Sequence, residues 1–148
     1  MMKSTRSLKF ARILLLAGLA AGLSASLAHA QQYEGKFTLP FEAHWGTAVL
    51  PAGDYTFRVN ANEDPYMVSV SQERQIVALI LTSGATKGEV AGSSALIAVR
   101  NAGNYRIRAL RLAEAGVVLE YSLPKAERQL LAQQPVLFQR VPLIAAGK

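Results

Sequence analysis

Across DYTFRVN, residues 54–60, apolar and polar side chains alternate without a break. Tyr55, Phe57 and Val59 fall on one side, and Asp54, Thr56, Arg58 and Asn60 on the other. A period of two is that of a strand with one face on a core and the other in water. The same period predicts strands over 33–39 (Tyr33, Phe37 and Leu39 inward), 66–72 (Tyr66, Val68 and Val70 inward) and 117–123 (Val117, Leu119, Tyr121 and Leu123 inward). Two further segments, IVALILT at 76–82 and ALIAV at 95–99, are apolar on both faces and are expected to be central strands.

The punctuation between these segments is turn chemistry: Asn62-Glu63-Asp64-Pro65, Asn101-Ala102-Gly103-Asn104 and Glu114-Ala115-Gly116. Strand starts recur at the spacing of an all-β sandwich or barrel. The exception is a gap over 84–94, GATKGEVAGSS, which reads as a mobile small-residue loop and matches no phosphate-binding glycine motif. One helix is predicted over 124–134, PKAERQLLAQQ, with proline at its start and no β-branched residue. Ala126, Leu130 and Leu131 would give it a narrow apolar stripe for lying on a sheet or closing a barrel end. A last strand is expected over 136–144, with Pro142 placing it at an edge or ending it early.

The first thirty residues follow a different logic. Lys3, Arg6, Lys9 and Arg12 precede an apolar run over 13–28, which ends in Ala28-His29-Ala30. Basic region, short apolar core and small-residue cleavage site make a secretory signal peptide, with the mature chain starting at Gln31 and residues 31–148 forming one β domain. The apolar run is shorter than the ~20 residues of a membrane span, so no span is expected after cleavage. The leader also changes the charge balance. Four of the 16 basic residues lie in it, leaving 12 against 10 acidic residues, a net of +2 for residues 31–148. A nucleic-acid partner therefore loses its electrostatic support. With no cysteine in the chain, neither disulfides nor thiolate metal sites are available.

Chemistry is sparse. His44 and Trp45 stand side by side, the one histidine and the one tryptophan after the leader. Trp45 is either a stacking platform for a sugar or other flat ligand, with His44 and Glu42 as polar contacts, or a core side chain beside a solvent-facing histidine. One histidine supports no histidine metal cluster, and no nucleophile motif accompanies it. The carboxylates fall on polar faces and in turns, and their spacing selects no catalytic pair. Arg106 and Arg108 share a predicted strand face and could hold an anionic ligand; the alternative is a solvated face with partners such as Glu120 or Glu114. The alternation breaks at Ala109-Leu110, which predicts a bulge. No cofactor motif is present.

LPAGDYTF, 50–57, is a tight connection between strands, with proline and glycine supplying the turn. It is similar to the L-P-x-G-x-Y-x-F/V segment of small extracellular β-sandwich modules, including carboxypeptidase regulatory-like domains. A longer likeness joins F-x-[LI]-P-F at 37–41, L-P-A-G-x-Y-x-F at 50–57, K-A-E-R at 125–128 and V-L-x-Q-R-V-P at 136–142. On these segments the chain resembles a group of short exported bacterial proteins to which no activity is assigned. The resemblance implies a shared fold and export, and brings no catalytic residue.

These readings converge on an exported single-domain all-β protein, an antiparallel sandwich or flattened barrel with one short helix near the C-terminus. The expected function is non-enzymatic binding or assembly in the envelope or outside the cell, with a protein or glycan partner met by sheet faces and edges. The alternative is a carrier of small apolar ligands in a lipocalin-like barrel. A hydrolase built on His44 and a nearby carboxylate is a third class.

Overall fold

The computed structural model describes residues 32–60 and 63–145. The leader and its cleavage site lie outside the described residues. Residues 31–148 form one compact unit. Among the described residues the chain runs β1 (Gln32–Leu39), β2 (Ala43–Trp45), β3 (Ala48–Leu50), β4 (Gly53–Asn60), β5 (Met67–Gln72), β6 (Gln75–Leu81), β7 (Gly84–Lys87), β8 (Ala95–Asn101), β9 (Asn104–Leu112), β10 (Val117–Glu120), α1 (Lys125–Leu131), β11 (Leu137–Pro142) and β12 (Ile144–Ala145). Among the described residues the fold is all-β with one short helix.

Two sheets face each other. The first has the order β12-β1-β4-β5-β6; the second runs β11-β8-β9-β10-β7, with β2 parallel to β9 and β3 antiparallel to β2. The alternating segments bury the side predicted for them: Phe37, Leu39, Tyr55, Phe57, Val59, Tyr66, Val68, Val70, Val117, Leu119, Tyr121 and Leu123 are all in the core, with Tyr33 partly buried against it. β8 is an interior strand, as its apolar composition predicts.

The chain changes sheets at short, specific points. Pro51-Ala52 carries it from β3 in the second sheet to β4 in the first, and the Tyr55 hydroxyl donates to the Pro51 carbonyl at 2.7 Å across that corner. The motif acts like the tyrosine corners of other sandwiches, where a phenol ties a turn to the strand that follows it. Thr82-Ser83 carries the chain from β6 to β7, and Leu143 carries it from β11 to β12. Pro142 is both the last residue of β11 and part of an edge strand, so both of its expected effects appear together. Strands that switch sheets at corners make a sandwich without closing it. The barrel that the carrier reading needs is not formed. The space between the sheets is filled by side chains, and the large groove of about 640 Å³ lies open on the outside of the first sheet among Lys36, Thr38, Asp54, Thr56 and Ser71.

Several expectations need correction. Between Pro40 and Pro51, where the sequence marks no strand, the chain forms a hairpin of two three-residue strands. Residues 84–87 are a strand, β7, because β10 supplies four partners to a sequence with no strand pattern of its own. The helix spans fewer residues than its composition predicts and buries none of its side chains. The segment 76–82 is not central. Its strand, β6, is the edge of the first sheet, joined to β5 by a two-residue turn in which Glu73 and Arg74 both adopt positive φ. Type I′ geometry suits the twist of a hairpin, although neither residue is one that favours it. The turn therefore carries no sequence signal.

Candidate functional site

His44 and Trp45 alternate on β2, so the pleat sends them to opposite sides. Trp45 is 0% exposed. Its ring meets Phe37 of the opposite sheet edge-on at 6.0 Å and Tyr121 at 5.5 Å, close to perpendicular. No face of the indole is open for a ligand to stack on. His44 is half-buried, between Val49 on β3 and Arg106 on β9, and its imidazole makes no hydrogen bond or ion pair with a described residue. Glu42 is exposed just outside β2. The structure thus separates the three residues that a stacking site would combine.

The core around Trp45 has one polar irregularity. The indole Nε1 and the Tyr121 hydroxyl are both buried without a hydrogen-bond partner. Burial pushes the Tyr121 phenol well above the usual tyrosine range; the nearby indole N–H opposes this weakly but does not reach hydrogen-bond geometry. Removing a buried hydroxyl that lacks a partner is close to neutral or stabilising. Tyr121→Phe is therefore expected to leave urea stability at pH 7 within about 1 kcal/mol of wild type, or above it. The pH dependence has a definite sign. A phenol raised in the folded state keeps its proton while the unfolded chain loses it above about pH 10, so wild-type stability is level below that pH and falls above it. Urea melts between pH 8 and 11 should show a shallower alkaline fall for Tyr121→Phe. Part of the fall should remain, because burial raises Tyr55 as well.

The arginines of β9 are committed within the fold. Both leave the core side, where Ile107 is buried. A bulge lies where the alternation breaks, one residue earlier than expected: Ile97 pairs with Ala109 and Ala98 with Ile107, which leaves Arg108 as the extra residue. Arg108 donates to the Tyr121 carbonyl at 3.3 Å. Arg106 forms a two-pronged ion pair with Glu127 of α1, at 2.6 Å through Nε and 2.7 Å through Nη2, and reaches the Gly46 carbonyl at 3.4 Å. Glu127, rather than Glu120 or Glu114, is its partner. That pair ties α1 to the sheet in place of an apolar stripe. No motif could have announced it, since the two residues come from different elements. Among the described residues no group of three histidine or acidic side chains stands at metal-binding distance.

The feature that sequence reasoning assigned to the interior is on the surface. Ala78 and Ile80 point into the core, while Ile76, Val77, Leu79 and Leu81 are 64, 47, 58 and 61% exposed. Val77 is the extra residue of a second bulge: Val70 pairs with Ala78 and Ser71 with Ile76. Both Ile76 and Val77 thereby join Leu79 and Leu81 outside the core. Single exposed apolar residues need no explanation, but four on one strand form a contiguous patch.

Among the described residues the other four sheet edges are protected against pairing, three-residue β3 by its shortness. β12 has only two residues, β7 has four and ends on Lys87, and β11 carries Arg140 and ends at Pro142. Short length, charge and proline are the devices that keep an edge from recruiting another strand. β6 has seven residues, no charge and no proline, and the bulge at Val77 interrupts only its start, leaving 78–81 regular. Among the described residues it pairs only with β5. β3 lies close to it, and Gly46, in the turn before β3, lies against the Ile80 side chain.

The fold and this edge define an all-β, two-sheet protein with one unprotected apolar strand. Searches against protein-family models, curated proteins and solved structures find no match.

Proposed function

We propose that this is an exported, non-enzymatic protein of the cell envelope or extracellular space, acting by binding or assembly through the free edge and outer side of β6. The observation that carries the reading is the unprotected strand itself, with Ile76, Val77, Leu79 and Leu81 turned to solvent. An open edge is a template for strand addition, in which main-chain hydrogen bonds supply affinity and alternate side chains supply selectivity. Export rests on the leader and its Ala-His-Ala end, and the likeness to short exported bacterial proteins is consistent with it. No helix among the described residues is long and apolar enough to cross a membrane.

A photo-crosslinking residue placed at position 79 in cells should give a specific protein adduct. The same group at Thr56, on the polar outer face of the same sheet, should give none. Equal capture at both positions, or none at either, would remove the reading.

A further inference from the structure

We infer that a cleft on the outer side of the second sheet binds a carboxylate-bearing sugar unit, with the carboxylate held between Arg108 and Arg128. The cleft is formed by β7, β9, β10 and α1 and measures about 370 Å³, the low end of the range for small-ligand sites. It uses no residue of β6, so the inference goes beyond the binding reading above and is tested apart from it.

Local sequence builds the cleft. The β9 bulge turns Arg108 and Ala109 outward together, with Ile107 and Leu110 in the core on either side. Bulges re-aim side chains in this way and recur next to functional sites. In the ladder Glu120 stands between Ala109 on β9 and Gly84 on β7, two residues with almost no side chain, which leaves the floor open. The Arg106–Glu127 pair fixes α1 beside β9, and the next residue, Arg128, lines the cleft from the helix side.

The charged groups of the cleft do not satisfy one another. Among the described residues neither the Arg128 guanidinium nor the Glu120 carboxylate makes a hydrogen bond or ion pair. Arg108 makes one bond, through a single nitrogen to the Tyr121 carbonyl at 3.3 Å, which orients the group and leaves most of its donors free. A guanidinium presents a flat fork of N–H donors that matches a carboxylate or a phosphate. Two arginines against one glutamate leave one net positive charge. That suits a carboxylate better than a phosphate monoester, whose charge is about −1.5 to −2 at pH 7. Glu120 only accepts when ionised, so it calls for hydroxyl donors on the same ligand. The Ser122 hydroxyl can donate or accept, and the Ser83 hydroxyl, which donates to the Glu120 carbonyl at 2.9 Å, keeps its acceptor side. A carboxylate flanked by hydroxyls is the chemistry of a uronic acid. Exposed charge pairs gain little in water, so the complex should be weak, with a Kd on the order of 1–10 mM.

NMR titration of the exported protein with glucuronate at about 50 mM salt should move the amide signals of residues 83–84, 108–109 and 120–122 saturably. Glucose, acetate and inorganic phosphate should each bind at least about fivefold more weakly. Arg108→Gln and Arg128→Gln should each weaken glucuronate about three- to fivefold, as should raising the salt to about 500 mM. The urea midpoint of Arg128→Gln should not move, since that guanidinium makes no polar contact in the fold. Glu120→Gln should narrow the preference for glucuronate over acetate. Gly84→Val is the steric test. A Cβ at this position would lie 3.7 Å from the Glu120 carboxylate, so it fits, and the larger side chain fills the floor without changing charge. Glucuronate binding should be lost.

A titration without saturable shifts at these amides overturns the inference. Phosphate or acetate matching glucuronate reduces the cleft to a bare anion contact and overturns the sugar, and glucose matching it overturns the role of the arginines. Unchanged binding by Gly84→Val places the ligand outside the cleft. None of these results depends on what a crosslinker at position 79 captures, so the β6 reading survives the failure of this one, and the reverse.

Discussion

Replacing Trp45 with alanine is expected to lower the unfolding free energy by about 3–5 kcal/mol, the range for truncating a large buried aromatic. Small domains have only about 5–15 kcal/mol in total, so the variant should be marginal or unfolded at 37 °C. The position explains the size of the effect. Trp45 belongs to the second sheet, yet its ring meets Phe37 from β1 of the first, and Phe37 in turn stacks on Tyr55 at 5.5 Å and packs against Phe57 at 6.2 Å. Deleting the indole opens a cavity between the sheets that the rigid strands around it cannot collapse to fill. Circular dichroism in urea is the readout, since the variant has no tryptophan. In the wild type the indole should fluoresce like a buried one and resist quenching by iodide or acrylamide. A fall of less than about 1.5 kcal/mol would mean that the core does not depend on this ring as its burial requires.

How far the fold could be read from sequence depended on which physical effect set each element. Tyr55, Phe57 and Val59 alternate because one face of β4 is core and the other is water, so that strand was plain. The turn at Ala102-Gly103 carries a positive φ at Gly103, which announces it, and another at Ala102, which does not. The Glu73-Arg74 turn carries them without announcing them, so the hairpin it closes was not marked.

β6 was misread for a different reason. Apolar residues on both faces of a strand say that neither face is meant for water, but not whether a neighbour in the same chain or in another molecule covers the second face. The sequence held the information about the surface and not about its occupant. His44, Trp45, Arg106 and Arg108 drew attention through rarity or charge. Packing turned Trp45 inward, and Glu127 and the Tyr121 carbonyl took up the guanidinium groups. Those partners come from distant parts of the chain, where spacing along the sequence has no bearing.

Gly35→Val is the second change expected to act strongly, and its effect runs through an edge. Gly35 is buried in β1, opposite Phe57 on β4 and opposite Ala145 on β12. A Cβ there would lie 2.6 Å from Cε1 and 2.8 Å from Cζ of Phe57, and 3.0 Å from the Ile144 carbonyl oxygen. The ring cannot swing away freely, because it packs against Phe37 in the core. The backbone of β12 would have to shift as well. Valine gains up to about 1 kcal/mol in strand propensity, but overpacking a filled site costs about 1–3 kcal/mol or more. The clash should win, with a net loss of about 2 kcal/mol in urea melts. Phe57→Leu, which removes the ring atoms that clash, should recover part of the loss when combined with Gly35→Val.

The more telling outcome concerns association. β12 is the two-residue cover on β1, and β1 is an eight-residue strand. Displacing that cover exposes a second long edge at the far side of the sheet from β6. A molecule with one open edge pairs and stops, whereas one with two can grow without limit. Gly35→Val should therefore self-associate through its exposed edges, and light scattering should rise with concentration. Adding Leu79→Lys should suppress that growth by closing the β6 edge, leaving at most the contact through β1. If the double variant still polymerises, β6 is not one of the two growing ends.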